Sequence, residues 1–411
     1  VTNHKQIQSA KIADLYEKLI KGQCNALDIF WDDIKQSGSP IIEEIHGDDK
    51  NVMVTFVYRA KDEIENVVVY GAFPSYRYKE NLMEHLLDTN LWYKTYIVRN
   101  DIRFGYNYSV NDALDDDYKK RNMNFILDEF NKNKIVFLKD DEDEEDMDIQ
   151  RSFVELSKVK DDVWTRKMDH KCNGTLDITR YESKSLNNTR RVWVYKPFGY
   201  DNNDNDENIK EKNNLIVLTD GFMQINILNA VTVLDNLIYH NMIPRSLCVF
   251  VDSNSDRVNE LAFNKKYGEL IVNEILPWAR SKYNVTDKPE ETLIGGVSLG
   301  ALASAYIVLE FPNVFHNVLA QSGSFFWDNQ WLINRYIDSE KVNSKFYLNV
   351  GFLEDRPYDD EPVMRDSIDK LRDVLLNKGY EVAYDRLPSG HDYLSWGEGL
   401  ANGLIALMGK K

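Results

Sequence analysis

From residue 192 onward the chain repeats one rhythm: a short apolar run, a turn, a stretch with helical spacing, and another apolar run. The runs Val192–Tyr195, Leu215–Leu218, Leu247–Val251, Thr292–Ile294, Val318–Ala320, Phe346–Val350 and Val382–Leu387 are too short for core helices and mostly lack polar alternation. They read as strands covered on both faces. Between them, Ile227–Ile238, Leu270–Trp278, Ala301–Glu310 and Asp366–Leu376 carry helical spacing, and a final helix ends near Met408. Strands joined through helices lie parallel, because a parallel pair needs a long crossover. The expected class is therefore α/β, a mostly parallel sheet with helices on both faces.

The first part of the chain keeps a different period. Ile12, Leu15, Leu19 and Ile20 share one helix face before Gly22, which predicts an amphipathic helix over residues 6–21 with a glycine stop. From about residue 40, Val52, Val54, Phe56 and Tyr58 alternate, and Val67–Tyr70, Trp92–Val98 and Ile102–Val110 continue in β-like runs. Short strands without long intervening helices suggest a small all-β, immunoglobulin-like sandwich. Asp140–Asp146 is an unbroken acidic run, with Asp148 close behind. Such density repels itself and buries nothing, so it reads as a solvated loop or linker; the turn glycine of a calcium loop is missing. The expected domains are 1–165, holding helix, sandwich and acidic linker, and 166–411, the α/β catalytic domain. Asp201–Glu207, without an apolar residue, reads as a surface loop.

Composition narrows the partners. With 50 basic and 67 acidic residues the net charge is −17, which gives neither nucleic acid nor an anionic membrane surface a general reason to bind. No run approaches the roughly 18–20 apolar residues that span a bilayer. Cys24, Cys172 and Cys248 are scattered and odd in number, so neither a disulfide framework, a structural metal nor a cofactor is expected. No signal-like segment opens the chain at Val1, and a cytoplasmic location is expected.

The chemistry concentrates in the second domain. Gly296-Val297-Ser298-Leu299-Gly300 follows the strand Thr292–Ile294 and precedes the helical Ala301–Glu310. A G-x-S-x-G turn between strand and helix is a nucleophile elbow: its tightness demands small residues on either side, and Ser298 lands at a helix N-terminus that favours developing negative charge. A serine hydroxyl needs a base, and in this topology base and acid follow the serine as Ser, Asp or Glu, then His. His316 follows too soon, so His391, after the strand ending at Leu387, is the candidate base. The acid belongs on the loop after Phe346–Val350. Glu354 is preferred there, with Asp355, Asp359 and Asp360 as neighbours; Asp392 is expected to point elsewhere. An oxyanion hole takes the N–H of Leu299 and one from the turn after Leu215–Leu218, at Gly221 or Phe222.

Gly296–Gly300, Gln321-Ser322-Gly323-Ser324-Phe325-Phe326-Trp327, and Gly390-His391-Asp392 with Trp396 resemble the enterochelin (enterobactin) esterases. So do Leu218-Thr219-Asp220-Gly221, Asp256-Arg257-Val258-Asn259-Glu260-Leu261 and, in the first domain, Trp92-Tyr93-Lys94, Phe104-Gly105-Tyr106 and Asn111-Asp112. The resemblance implies an α/β-hydrolase domain behind an N-terminal β-domain. It also implies hydrolysis of a catecholate trilactone siderophore, often as its ferric complex, to dihydroxybenzoylserine units. It carries over Ser298 as nucleophile, His391 as base and Arg257 as a contact for the anionic catecholate; some relatives work with little help from an acid. Phe326, Trp327, Tyr393 and Trp396 are candidate ring faces, Trp327 and Trp396 foremost. Arg257 has a plainer alternative, an ion pair with Glu260. The rival functions are a feruloyl or other sugar-acyl esterase and a non-catalytic siderophore- or carbohydrate-binding protein.

Overall fold

A computed structural model describes residues 7–71, 78–115, 117, 121, 123–144, 146–200, 212–355 and 362–409; Asp201–Glu207, Asp359 and Asp360 lie outside the described residues. The chain forms two compact units, Val1–Lys160 and Asp161–Lys411. The break falls slightly before the 165/166 boundary read from sequence. Asn236 of the second unit donates to the carbonyls of Trp164 and Arg166 at 2.7 and 2.9 Å, which ties that segment to the second unit.

In the first unit, helix α1 (Ala10–Ile20) starts at Ser9, whose hydroxyl accepts from the Ile12 N–H, and buries Ile12 and Leu15. Helix α2 (Ala26–Ser37) was not foreseen; it buries Phe30, Trp31 and Ile34, and Trp31 stacks on Phe130 at 5.4 Å. Its apolar face is narrow and follows α1 after only a few residues, so its period merges with its neighbour's.

Strands β1 (Ile41–Ile45), β2 (Asp48–Arg59), β3 (Val67–Gly71), β4 (Glu84–His85), β5 (Leu91–Arg99), β6 (Arg103–Val110), β7 (Phe125–Ile126), β8 (Lys134–Phe137) and β9 (Ile149–Glu155) follow. They form antiparallel sheets ordered β1-β2-β5-β4 and β3-β6-β9-β8, with β7 beside β6. The sheets meet through rings: Phe56 lies 4.7 Å from Tyr106 and 6.1 Å from Phe104, and Tyr58 lies 5.5 Å from Tyr108. The acidic run is not a linker between units. It joins β8 to β9 within the first unit, and its carboxylates turn back to accept loop N–H groups, Asp146 from Asp140 at 2.8 Å and Asp148 from Lys139 at 2.9 Å.

The second unit holds a sheet ordered β10-β11-β13-β12-β14-β15-β16-β17. Its strands are β10 (Thr175–Ser183), β11 (Asn188–Lys196), β12 (Asn214–Thr219), β13 (Ser246–Val251), β14 (Thr292–Val297), β15 (Asn317–Gln321), β16 (Lys345–Gly351) and β17 (Glu381–Leu387). The pairs β10/β11 and β11/β13 are antiparallel and the rest parallel. The unforeseen β10 is an edge strand with Leu176 and Ile178 exposed, so it lacks the unbroken apolar run that marks its neighbours.

The helices are α3 (Gly221–Asn226), α4 (Ala230–Tyr239), α5 (Arg257–Leu261), a helical stretch over 265–282, α6 (Leu299–Glu310), α7 (Trp327–Asp338), α8 (Met364–Asn377) and α9 (Trp396–Met408). Two cores result, one on each sheet face: one packs α6, α7 and α8, the other α4 and α9. Helix α6 is buried from Leu299 to Leu309, so it presents no polar face, and it fixes the serine at its start. Among the described residues, no helix is long and apolar enough to cross a membrane.

Glu260 on α5 is the partner of Arg190 on β11, through bonds of 2.8 and 3.0 Å between side chains that are almost fully buried. It is therefore not the partner of Arg257. Removing the carboxylate strands a buried guanidinium, so Glu260→Ala is expected to cost about 3–5 kcal/mol of stability, read as a lowered midpoint in urea denaturation.

Candidate active site

Strand β14 continues through Gly295 and Gly296 to Val297, so the turn is confined to Ser298, later than the glycine turn read from sequence. Ser298 takes φ +56° and ψ −117°, a conformation that costs an L-residue on the order of 1–3 kcal/mol. Its neighbours hold it there: the Ser298 N–H donates to Gln321 O at 2.9 Å, and its carbonyl accepts from the Leu302 N–H at 3.1 Å. The flanking glycines are required by close approach. A Cβ on Gly296 would lie 2.3 Å from Thr219 Oγ1, and one on Gly300 would lie 2.2 Å from the same oxygen and 3.0 Å from Asp220 Oδ2. The end of β12 thus passes against the elbow.

His391 Nε2 is 3.1 Å from Ser298 Oγ, and His391 Nδ1 is 2.7 Å from Glu354 Oε1. Glu354 is buried, and its Oε2 accepts from Ser322 Oγ at 2.8 Å and from the Gly351 N–H. Of the acids left open by sequence, Asp355 turns away towards Arg365 at 3.8 Å. Asp392 accepts from Ser389 Oγ and the Leu394 N–H of its own loop, and burial pushes its carboxyl above the ordinary range. His316 sits apart, with Nδ1 2.9 Å from Asn343 O.

Residue Asp220, in the left-handed region at φ +58°, opens α3 and aims the turn. Phe222 donates its N–H to Asp252 Oδ1 at 3.1 Å, so of the two candidate N–H groups on this turn that one is already engaged, while Gly221 opens α3 and Leu299 opens α6. A Cβ on Gly221 would meet Trp193 Cζ3 at 2.9 Å and Phe250 Cβ at 3.2 Å, so only glycine lets the turn lie this close. Burial raises the Asp252 carboxyl, opposed by the Phe222 N–H and by Arg191, whose Nε donates at 2.7 Å.

Arg257 clamps Asp220, Nε to Oδ1 at 2.6 Å and Nη2 to Oδ2 at 2.8 Å. Burial works against its charge, but the Asp220 hydrogen bonds and charge hold the guanidinium above its usual range. Trp327 is half-buried against the core at the start of α7. Trp396 is only 5% exposed, packs edge-on against His391 at 5.0 Å and donates its indole N–H to Ser322 Oγ at 3.0 Å. Little of its ring is open to solvent.

Sequence reasoning also passed over Ser322 and Ser324 as chemical groups. Ser324 Oγ lies 3.2 Å from Ser298 Oγ and is buried. The available signal was position: both follow β15, the parallel neighbour of the elbow strand. Among the described residues no three His, Cys, Asp or Glu gather as metal ligands.

Nδ1 faces a carboxylate that already receives two donors, so it carries the imidazole hydrogen, and Nε2 presents its lone pair to the serine hydroxyl. Sheet order, elbow and the Ser298–His391–Glu354 line define an α/β hydrolase. The Esterase family model matches residues 183–407, and the chain belongs to that family. It is 25% identical to the Iron(III) enterobactin esterase of Escherichia coli O6:H1 over 55% of this chain, and so spans 56% of that relative's length. Its similarity to the Iron(III) enterobactin esterase of Dickeya dadantii is 22% identity over 92% of each. A crystal structure of the enterobactin esterase from Shigella flexneri in the presence of enterobactin shares the fold, with a TM-score of 0.70 at 22% identity over 92% of this chain and 97% of that one.

The contact at Gly300 supplies a direct check. Gly300→Ala forces Thr219 and Asp220 away from the elbow, and is expected to slow covalent labelling of Ser298 by a fluorophosphonate about 100-fold; labelling at the wild-type rate would show that the turn tolerates a Cβ.

Proposed function

We propose that this protein is a serine esterase that opens the ester bonds of a catecholate trilactone siderophore, free or as its ferric complex, releasing dihydroxybenzoylserine units. One observation carries the hydrolytic part: Ser298, His391 and Glu354 stand in line at hydrogen-bond distances on loops that follow β14, β17 and β16 of one parallel stretch of sheet. The substrate part is supported by relatives named Iron(III) enterobactin esterase, one similar along nearly the whole chain, and by a guanidinium close to the elbow.

The chemistry follows from the geometry. Nε2 takes the Ser298 proton as Oγ attacks a lactone carbonyl, and the Leu299 and Gly221 N–H groups receive the oxyanion. The imidazolium is held by Glu354 and returns the proton to the departing serine alkoxide of the substrate. A water, deprotonated by the same nitrogen, then attacks the acyl-enzyme; the acid is released and Ser298 recovers its proton. Arg257 supplies a planar cation for catecholate oxygens, with its charge moderated by Asp220. Any iron is cargo of the substrate and takes no part in the step.

Competitive turnover of a catecholate trilactone and a feruloylated sugar, resolved by chromatography, tests the reading. Trilactone opening should dominate in the wild type and fall by at least about three orders of magnitude in Ser298→Ala. Faster feruloyl release would overturn the substrate assignment, and absence of both activities together with absence of fluorophosphonate labelling would overturn the enzyme.

A further inference from the structure

A glutamate is a demanding triad acid. It carries one more rotatable bond than aspartate, so an unanchored carboxylate samples orientations that do not face the imidazole. Here the second oxygen is anchored. Glu354 Oε2 accepts from Ser322 Oγ at 2.8 Å, and Ser322 Oγ in turn accepts the Trp396 indole N–H at 3.0 Å. An indole N–H only donates and a carboxylate only accepts, so the serine hydroxyl has one consistent role: it takes the indole hydrogen and gives its own to Glu354. The chain therefore runs one way, from Trp396 through Ser322 to Glu354, which receives His391 Nδ1–H on its other oxygen.

Two independent features point to selection of this arrangement over simple packing. The Ser322 backbone sits at φ +43°, a left-handed conformation that glycine would occupy without strain. It is pinned by its N–H, shared between Asn349 O and Oδ1, each at 3.1 Å. A residue kept there at a cost of roughly 1–3 kcal/mol is kept for its hydroxyl. The second feature is that the ring delivering the N–H also packs edge-on against His391, at 5.0 Å and 84°, so one side chain contacts the base and anchors the acid. Trp396, Ser322 and Glu354 are all buried, which removes water as a competing donor.

We propose that Trp396 and Ser322 are positioning residues: their fixed donor chain pins the second oxygen of Glu354 and thereby holds His391 in the tautomer and orientation that Ser298 requires. This rests on the serine-esterase reading above, and it moves Trp396 from substrate contact to support of the acid. Ser322→Gly removes the hydroxyl while relaxing the backbone, so folding is spared; Trp396→Phe keeps a ring and removes the N–H.

With p-nitrophenyl acetate as probe, each variant is expected to lose about tenfold in kcat and in kcat/KM together, with KM within about twofold, the order expected for one hydrogen bond to a charged group. The double variant should fall no further than the weaker single, because both cut one chain. Proton NMR supplies a readout that needs no turnover: the far-downfield resonance of an imidazole Nδ1–H donated to a carboxylate should be present in the wild type and lost or displaced in Ser322→Gly. Wild-type kcat in both variants with an unmoved resonance would overturn the proposal, and so would additive losses in the double variant. If the wild type turns over no ester and Ser298 takes no fluorophosphonate, the esterase reading fails, and the resonance still decides whether the chain holds His391.

Discussion

The active site depends on one backbone conformation, Ser298 at φ +56°, which the chain would abandon if left alone. What keeps it is packing on every side. The Gln321 carbonyl takes its N–H, Thr219 fills the space that a Cβ at Gly296 or Gly300 would need, and α6, buried from Leu299 to Leu309, cannot rotate to relieve the turn. The large core beneath α6 is thus the source of the strain at the serine as well as of stability. Because the turn is sharp, the hydroxyl stands clear of the sheet and meets a histidine from the loop after β17, three strands along from β14.

Around the elbow, charge is arranged in closed pairs. Arg190 with Glu260, Arg191 with Asp252 and Arg257 with Asp220 occupy the region between β11, β12 and α5. Each carboxylate has a second duty: Asp252 takes the Phe222 N–H, Glu260 takes the Asn188 amide, and Asp220 takes the Ser253 hydroxyl. Such pairs contribute less to stability than to geometry, since desolvation offsets much of their attraction. Their effect here is to fix the turn that carries Gly221 beside the elbow.

Much of this was legible in the residues. Buried parallel strands announce themselves as apolar runs, and β11 to β16 were visible for that reason; β10, half exposed at the edge, and α7, whose Asp328–Gln330 segment has positive φ, were not. Ser298, His391 and Glu354 could be named because chain order in this fold constrains where base and acid fall. That the Phe222 N–H, unlike its neighbour's, is engaged by Asp252 was not legible, because Asp252 is distant in sequence. The surroundings of Trp396 were hidden for the same reason. An aromatic residue near a catalytic histidine looks alike in sequence whether its ring faces substrate or its N–H faces a serine, and only the 3.0 Å bond to Ser322 separates them. The acidic run reads as a loop or a linker alike, because charge density reports solvation, which both share; its place between β8 and β9 makes it a loop.

The order in which the sheet is assembled has a further implication. Ser298, Glu354 and His391 lie on loops after β14, β16 and β17, and Trp396 begins α9. A chain emerging from the ribosome therefore displays Ser298 well before His391, 93 residues further on, can reach it. The alignment of Ser298, His391 and Glu354 belongs to the sheet from β14 to β17 as a whole. Copies that stop short of β17 carry the elbow sequence without the histidine that faces it.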